Sequence, residues 1–436
     1  MRHRLTLCAA LLVGTAWSES FEVKPRLMPV GPNPSAIAAA DLTGDGIPEI
    51  VTCDRGILDD PREERPGNNE LSLLIAKAPM EYIQQHPSPR TDIGPYAVVL
   101  ANVDGLKWPD IIAANFLATN KENISVFLNL QQEGIYKPLG FTIPDETLPY
   151  FRQRDGDGVP LFTKPGLTSV VVRDFNDDRL RDLVATAWSS DRLVVMPGHL
   201  EKIFDAPKLI PATGGPRDLA VGDFDRDGKA DLAVAMYCTN EVALFQGNGQ
   251  NSFSEITRFP SRGRLPSHVR VGDMNGDGLD DIVVSHASAD DSIVIFLGDG
   301  DFRFSTSREL MLGKDRGALE YEVRDITLGD FDLDGRTDLA AACFTSATVE
   351  VFLGLPPEGP MPVFHHETYR FGKGDASPRP RALCAADFDN NGSPDLAVAL
   401  WDANAVGLLI SQSAKKEPEP QKPLESTPKR REGKNR

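Results

Sequence analysis

The chain has 436 residues, a formal net charge of −18 and 41% hydrophobic residues. This hydrophobic fraction excludes a wholly disordered chain, and the acidity argues against a general nucleic-acid binder, which needs a basic face. Glycine and proline contribute 37 and 34 residues, which favours a turn-rich protein over a helical bundle.

The first 18 residues have the pattern of a secretory signal peptide. The basic start MRHR precedes the apolar run LTLCAALLVGTA, and Ala16 and Ser18 are the small residues of a cleavage site. We therefore expect residues 1–18 to be removed and the protein to be exported, to a periplasmic, secreted or cell-surface location. A buried first strand or helix is the alternative. No later stretch reaches the roughly 18 apolar residues of a membrane span.

Four cysteines remain after this cleavage: Cys53, Cys238, Cys343 and Cys384. An even number in an oxidising compartment permits disulfides. Their apolar, strand-like surroundings favour buried free thiols instead. The sequence leaves the disulfide state open.

A nine-residue phrase recurs seven times along the chain, with start-to-start spacings of 49 to 72 residues. The copies are DLTGDGIPE from Asp41, NVDGLKWPD from Asn102, DFNDDRLRD from Asp174, DFDRDGKAD from Asp223, DMNGDGLDD from Asp273, DFDLDGRTD from Asp330 and DFDNNGSPD from Asp387. Each copy follows one short apolar strand and precedes two or three more. Four short antiparallel strands per unit are typical of a propeller blade. The sequence therefore predicts an all-β fold, a single seven-bladed β-propeller over residues 19–412.

The two ends of this region predict how the ring closes. The seventh unit stops after its third strand at Ile410, and the mature N-terminus begins with an unassigned strand, FEVKPRLMPV. We expect this N-terminal strand to complete the last blade and so protect its edge. Residues 413–436 lack apolar periodicity and are predicted to be a disordered charged tail. Its basic excess leaves an electrostatic tether to an acidic surface as an alternative to a merely solvated end.

The repeated loops and their strands resemble the FG-GAP/VCBS repeats, a propeller type also found in the head of integrin α subunits. The resemblance covers residues 21–410. It implies the propeller fold and calcium-binding loops, and it does not imply a particular biochemical function.

The loop residues themselves also point to calcium, which prefers six to eight hard oxygen ligands. Acidic or amide residues occupy positions 1, 3 and 5, glycine follows at position 6, a backbone carbonyl is available at position 7, and an acid closes the loop at position 9. An EF-hand loop closes at position 12, so the repeated loop is not an EF-hand. It matches the integrin-type calcium loop that the resemblance implies. Ordinary Asp-Gly turns are the alternative, although a turn alone does not require so many crowded carboxylates.

We expect four to six Ca²⁺ ions, with the strongest pattern in the last four units. The predicted ligands there are Asp223, Asp225, Asp227, Lys229 and Asp231; Asp273, Asn275, Asp277, Leu279 and Asp281; Asp330, Asp332, Asp334, Arg336 and Asp338; and Asp387, Asp389, Asn391, Ser393 and Asp395. The first and third units depart from the pattern and remain candidates, with Asp41, Thr43, Asp45, Ile47 and Glu49, and with Asp174, Asn176, Asp178, Leu180 and Asp182. The second unit has Leu106 at position 5 and is expected to be empty.

The face opposite these loops is the candidate ligand-binding surface, because the longest insertions fall there. Residues six before position 1 and six after position 9 are predicted to pair: Ser35/Arg55, Tyr96/Phe116, Thr168/Trp188, Arg217/Tyr237, Ser267/Ala287, Arg324/Phe344 and Arg381/Trp401. An aromatic residue occurs in five of these seven pairs after position 9, and arginine faces three of them. The candidate ligand-binding residues are Arg217, Tyr237, Arg324, Phe344, Arg381, Trp401 and Trp188. Packing between blades is the alternative role for each pair.

Three functions compete. The leading one is an exported, calcium-stabilised binding or adhesion module for a protein or carbohydrate ligand. The second is an extracellular polysaccharide lyase or hydrolase, and the third is a structural component of a cell-surface assembly. None of the common catalytic motifs occurs, and His268 and His286, which flank the fifth loop, lack a third metal ligand. A lyase should show convergent Arg, Tyr and His side chains, whereas a binding protein needs only the aromatic rim.

Overall fold

The computed structural model describes residues 19–56, 69–116, 122–132, 136–143, 166–287, 292–312, 322–372 and 377–413. Within these ranges the chain is all-β, and its helical content is one short 3-10 turn, Trp188–Ser190. The predicted signal peptide, and the predicted tail from residue 414 onward, lie outside the described residues, so their boundaries stay predictions.

The strands form seven consecutive antiparallel blades, which confirms the predicted propeller. Two short strands, β1 (Phe21–Val23) and β2 (Met28–Pro29), precede the first blade. Blade 1 contains β3 (Pro34–Ala40), β4 (Glu49–Asp54), β5 (Glu70–Ala78) and β6 (Glu81–Gln84). Blade 2 contains β7 (Pro95–Ala101), β8 (Asp110–Asn115), β9 (Ile124–Asn129) and β10 (Tyr136–Phe141).

The middle blades continue in the same order. Blade 3 contains β11 (Leu167–Arg173), β12 (Asp182–Ala187), β13 (Arg192–Met196) and β16 (Lys208–Pro211), with a small hairpin of β14 (Gly198–His199) and β15 (Ile203–Phe204) before its last strand. Blade 4 contains β17 (Pro216–Gly222), β18 (Asp231–Met236), β19 (Glu241–Gly247) and β20 (Phe253–Pro260).

The last three blades complete the ring. Blade 5 contains β21 (Pro266–Gly272), β22 (Asp281–His286), β23 (Ser292–Leu297) and β24 (Thr306–Met311). Blade 6 contains β25 (Val323–Gly329), β26 (Asp338–Cys343), β27 (Thr348–Glu358) and β28 (Met361–Tyr369). Blade 7 contains β29 (Pro380–Ala386), β30 (Asp395–Leu400) and β31 (Ala405–Ser411).

Burial explains the apolar runs of the sequence. All residues of the second strand of each blade are buried, as in β18 and β30, because both faces of that strand pack against neighbouring blades. The hydrophobic clusters accordingly join residues of adjacent blades, for example Val234 with Val195 and Val284 with Val242. The first strands of adjacent blades lie side by side around a central channel.

The N-terminal strands close the ring, as predicted. Both β1 and β2 pair with β31, with Phe21 opposite Ser411 and Met28 opposite Val406. Phe21 is 1% exposed and packs edge-to-face against Phe331 and Tyr369. The two short strands therefore take the place of a fourth strand in blade 7.

Each first strand carries a β-bulge near its start. In all seven blades the register of the first and second strands shifts after one residue; in blade 2, Pro95 pairs with Asn115 but Ala97 pairs with Ala114. The extra residues are Ser35, Tyr96, Thr168, Arg217, Ser267, Arg324 and Arg381. A bulge leaves one residue unpaired and redirects its side chain.

The bulges make the predicted symmetric pairing wrong in every blade. The backbone N–H of Phe116 donates to the carbonyl of Gly94, two residues before Tyr96, and Trp401 pairs in the same way with Arg379. Equivalent hydrogen bonds place Gly56, Trp188, Tyr237, Ala287 and Phe344 opposite Pro32, Gly166, Gly215, Leu265 and Glu322. Counting outward from the loops assumes an uninterrupted hairpin, and one inserted residue displaces the register.

Candidate functional site

The predicted metal loops join the first and second strands of the blades, all at one face of the propeller. In blades 4, 6 and 7 the acids at positions 1, 3 and 9 converge, with one oxygen of each within 4.8 Å of the others. These groups are Asp223, Asp225 and Asp231; Asp330, Asp332 and Asp338; and Asp387, Asp389 and Asp395. Each of the three groups could hold a metal ion, and oxygen-only ligands suit a hard cation such as Ca²⁺.

The other three predicted loops lack one of these carboxylates. Position 3 is Thr43 in blade 1, Asn176 in blade 3 and Asn275 in blade 5. An amide or hydroxyl oxygen can also bind Ca²⁺, but it adds no negative charge. Calcium in these loops stays a prediction.

Blade 4 offers an atom that fits a cation directly. One carboxylate oxygen of Asp223, Oδ1, is buried and has no hydrogen-bond partner in the part of the chain that the structure describes. It lies in the same group as Asp225 and Asp231. Since a buried carboxylate oxygen without a donor is unfavourable, a bound cation would satisfy it.

The loop of blade 3 keeps its backbone turn even though its sequence departs from the pattern. Gly228 at position 6 has a φ of 81°, in the left-handed region where glycine is unstrained. In blade 3, Arg179 occupies position 6 and still adopts a φ of 70°. The side chain changes, therefore, but the turn that positions the acids does not.

The acid at position 9 has a structural role beside any metal. Asp231 accepts hydrogen bonds from the backbone N–H of Phe224 in the loop, at 3.0 Å, and of Gly247 on β19, at 2.9 Å. Asp110 makes the same two bonds in blade 2, to Val103 and Asn129, at 2.8 Å each. This acid therefore links the loop to the third strand even in the blade that is expected to bind no calcium.

Burial makes these acids reluctant to ionise in the absence of a cation. It raises the pKa of Asp231 to about 6 and the pKa values of Asp281, Asp338 and Asp395 to about 7. The backbone hydrogen bonds oppose this rise, while nearby loop carboxylates add to it. A bound Ca²⁺ would favour the ionised form.

In blades 4 and 6 the acid at position 5 forms an ion pair with the basic residue at position 7. Asp227 forms an ion pair with Lys229, with the two atoms 2.5 Å apart, and Asp334 pairs with Arg336. Both basic residues occupy position 7, whose carbonyl is the predicted ligand. The roles of positions 5 and 7 in calcium binding stay predictions.

The opposite end of the channel carries the bulge residues. All of them except Arg324 line a cavity of about 290 Å³, together with deeper residues of the first strands. Those at its rim are Ser35, Tyr96, Thr168, Arg217, Ser267 and Arg381. Deeper in the channel, Arg270 forms ion pairs with Asp218 at 2.8 Å and with Asp325 at 2.9 Å. The charge of Arg270 is thus compensated within the protein.

Arginines from several blades gather around Tyr96. Arg217 donates a hydrogen bond to its hydroxyl oxygen, and Arg381 does so at 3.1 Å. The guanidinium carbons of Arg55 and Arg217 each lie 5.1 Å from the centroid of the Tyr96 ring, and that of Arg381 lies 5.8 Å away. We call Tyr96, Arg55, Arg217, Arg324 and Arg381 the arginine cluster.

This arrangement changes the acidity of the phenol. Burial acts to raise the pKa of Tyr96, but Arg217, Arg381, Arg55 and Arg324 together outweigh it and lower the pKa to about 7. The phenolate is therefore accessible near neutral pH, because positive charges surround it.

The candidate ligand-binding residues divide between the cluster and packing. Trp188 is 8% exposed and packs between Phe116 and Tyr237, with ring centroids 6.0 and 6.2 Å away. The half-buried rings of Phe344 and Trp401 contact each other edge-to-face, with their centroids 6.4 Å apart. Trp188 is thus enclosed, whereas Tyr237, Phe344 and Trp401 keep some exposure.

In two of the three predicted arginine–aromatic pairs, the two side chains are in contact although the backbone register is shifted. The guanidinium carbons of Arg217 and Arg324 each lie 5.3 Å from the rings of Tyr237 and Phe344, respectively. Arg381 instead turns inward to Tyr96. The sequence analysis placed Tyr96 and Arg55 at these same offsets, but neither was among the candidate ligand-binding residues.

The two histidines form no metal group within the described residues. His268 lines the cavity and hydrogen-bonds to the hydroxyl of Ser267 at 3.3 Å, while His286 is fully buried. Cys53, Cys238, Cys343 and Cys384 form no disulfide with one another. Nowhere in the described part of the chain is a helix long and apolar enough to cross a membrane.

Comparison with solved structures shows the same fold in proteins of distant sequence. BBS1N in complex with ARL6DN is 15% identical, with a TM-score of 0.58 over 89% of this chain and 96% of that one. Virginiamycin B lyase from Staphylococcus aureus is 12% identical, with a TM-score of 0.57 over 89% of this chain and 99% of that one. At such identities the likeness shows the fold alone.

Comparison of the sequence finds one family model that matches part of the chain. No curated protein is significantly similar to the chain. The model of the FG-GAP-like repeat matches three consecutive segments, residues 174–234, 227–284 and 273–341. These matches contain the loops of blades 3 to 6, in the frame that the repeated phrase predicts. Residues 174–341 are therefore similar to FG-GAP-like repeats.

Proposed function

We propose that the protein is an exported, calcium-stabilised propeller that binds or adheres to a protein or carbohydrate ligand at the face opposite its calcium loops. The observation that carries this proposal is the convergence of arginine and tyrosine side chains on an open cavity at that face. The acidic loops at the other face have a role as scaffold, because their position 9 acids fix each loop to its blade.

Calcium contributes stability in this proposal. In blades 4, 6 and 7 it would be held by the acids at positions 1, 3 and 9. Bound there, the ion neutralises carboxylates that otherwise repel one another. The chain's own part is to hold those acids together through the loop turn and the backbone hydrogen bonds of position 9.

A protein ligand and a carbohydrate ligand remain alternatives. The structurally similar BBS1N was solved in complex with a protein, ARL6DN, which is a precedent for protein binding by this fold. Exposed parts of Tyr237, Phe344 and Trp401 would suit stacking on sugar rings, as well as contacts with a protein.

The test is a glycan array and a panel of extracellular protein domains, each probed with the full chain in calcium and in EDTA. We expect a defined ligand in calcium. Binding should weaken more than tenfold in the double variant Arg381→Ala/Trp401→Ala, while its calcium-dependent melt stays nearly unchanged. The matched control is Arg303→Ala, an exposed residue paired with Asp301 on the calcium-loop face. A double variant that unfolds, with a folded remainder that binds normally, would assign these residues to packing.

A polysaccharide lyase is the second candidate, and one observation favours it. Tyr96, Arg217, Arg381 and His268 all line the cavity, which is the convergence expected of a lyase. In such a reaction an arginine binds the uronate carboxylate, and the Tyr96 phenolate takes the proton from the adjacent carbon, C5. The C4–O bond to the leaving sugar breaks as the C4=C5 bond forms, and the Tyr96 hydroxyl then gives its proton to the departing oxygen. Unsaturated products from a uronate polymer, lost in Tyr96→Phe, would establish this activity; intact polymer after long incubation would exclude it.

A further inference from the structure

The arginine cluster holds more positive charge than the surrounding protein compensates. Glu322 pairs with Arg324, and the two buried aspartates of the channel pair with Arg270. Among the described residues, no carboxylate lies within ion-pair distance of Arg55, Arg217 or Arg381. Arg217 and Arg381 both donate to the hydroxyl of Tyr96, which is neutral when protonated, and Arg55 lies over the Tyr96 ring.

Two further donors of the cluster have no acceptor. The Nε atoms of Arg55 and Arg324 are buried and lack a hydrogen-bond partner in the described part of the chain. A buried N–H group without a partner is unfavourable, and more so when it belongs to a cation. Burial and the neighbouring arginines also lower the pKa of Arg55 to about 10, although Tyr96 opposes this.

The cavity beside the cluster can admit a ligand group. Its volume, about 290 Å³, approaches the lower end of ligand pockets, roughly 300 Å³. Arg217, Arg381 and Tyr96 line it together with the hydroxyl residues Ser35, Thr168 and Ser267. Guanidinium and hydroxyl donors around one cavity are suited to an oxyanion, which accepts several charge-assisted hydrogen bonds.

We propose that the arginine cluster is a binding site for an oxyanion group, a carboxylate, sulfate or phosphate carried by the ligand. This group enters the channel and is held by Arg217 and Arg381 beside Tyr96, with the charge of Arg55 behind them. This proposal rests on the proposed function in taking this end of the channel as the ligand face. The anion supplies the counter-charge that the described protein lacks. The aromatic rings at the rim would then contact the rest of the ligand.

The experiment is calorimetric titration of the calcium-loaded full chain, at low ionic strength, with sodium sulfate, glucose 6-phosphate and glucuronate, with glucose as the neutral control. We expect at least one anion to bind and glucose not to bind, and the tightest of the three identifies the oxyanion. Arg217→Ala and Arg381→Ala should each weaken binding about tenfold or more. The exposed control Arg303→Ala should bind as the wild type does.

A second measurement needs no variant. Tyrosinate absorbance of the wild type reports Tyr96, and a bound anion should move its titration midpoint upward because it disfavours the phenolate. Absence of binding by all three anions, equal affinity in the arginine variants, or a midpoint unchanged by a bound anion would each overturn the proposal. If the anions fail while an array ligand still binds at this face, the proposed function survives and the oxyanion site does not. If an anion binds but no array ligand does, the oxyanion site survives and the proposed function does not.

Discussion

The two ends of the seven first strands carry opposite chemistry. At one end each strand enters a loop of carboxylates, and the loop is repeated in every blade with small changes. At the other end each strand begins with a bulge residue, and these seven residues are of four kinds: serine, threonine, tyrosine and arginine. One scaffold strand thus separates an acidic face from a basic one.

This difference distinguishes a scaffold that is repeated in every blade, the acidic loops, from a site that occurs once, the arginine cluster. The position 9 acid recurs in all seven loops because each blade needs the same link between its loop and its third strand. The bulge is equally regular in its backbone, yet its side chain is free to differ from blade to blade. The cluster around Tyr96 arises from that freedom, since it combines unlike residues from several blades.

The largest effect should come from breaking the ring that holds both ends in place. Deleting residues 19–30 removes β1 and β2, exposes the edge of β31 and removes Phe21 from its pocket. We expect aggregation or loss of cooperative unfolding in a thermal melt. A chain ending at residue 413 is the control and should melt as the full chain does. A soluble N-terminal truncation with an unchanged melt would show that the ring does not depend on this closure.

Calcium should stabilise the fold through the acidic end of the strands alone. Each site that binds only in the folded state adds about 2.7 kcal/mol at a hundredfold excess over its Kd. The melting temperature should therefore rise with millimolar Ca²⁺ and fall with chelator.

A matched pair of variants sharpens this test. Asp225→Asn removes an acid of the converging group and should reduce the calcium effect, whereas Asp227→Asn, whose carboxylate pairs with Lys229, should reduce it less. Equal melts with calcium and with chelator would contradict calcium binding. Equal losses in the two variants would place position 5 in the site.

The structural acid can be distinguished from the metal-binding acids in blade 2. Asp110→Asn leaves one of two buried backbone N–H groups without its acceptor, at a cost of about 1–3 kcal/mol. Because no calcium is expected in this loop, the loss should be the same with calcium and with chelator. A loss that appears in calcium alone would mean that this loop binds the ion after all.

The smallest effect is spectroscopic and belongs to the basic end. Tyr96 should ionise with a pKa of about 7, giving one tyrosine's share of tyrosinate absorbance near neutral pH. The charged groups around Tyr96 are Arg55, Arg217, Arg324 and Arg381. His268 adds no charge to this end of the channel, because burial, and then the nearby arginines, keep its pKa far below the usual value.

The sign of the linked stability follows from the lowered pKa. The unfolded chain binds the Tyr96 proton up to pH about 10 and the folded chain only to about 7, so stability should rise with pH between these values. Tyr96→Phe should abolish the neutral titration, and Arg217→Ala should move it upward. A wild type without any tyrosinate signal below pH 9, roughly a unit under the ordinary tyrosine pKa, would contradict the cluster.

The sequence predicted the regular features of the protein and missed the irregular ones. The blades, the closing strand and the acidic loops follow from a repeated phrase and from apolar runs, which are local signals. The bulges could not be read from residue types, because serine, tyrosine and arginine fill the same position. Without them the predicted pairs were displaced, and Arg381 was assigned to Trp401 although its side chain lies against Tyr96, 285 residues away in the chain.

The pairing of β1 with β31 also has a consequence for the order in which the molecule can be assembled. Phe21 emerges from the ribosome long before its partner Ser411 exists, so the first strand must wait, unpaired, while nearly the whole domain is made. Contacts so distant in sequence form late and slowly. Until β1 pairs with β31, the partly folded ring is open and has two unpaired strand edges. These edges can pair with other chains, so a chaperone would be most useful during this interval.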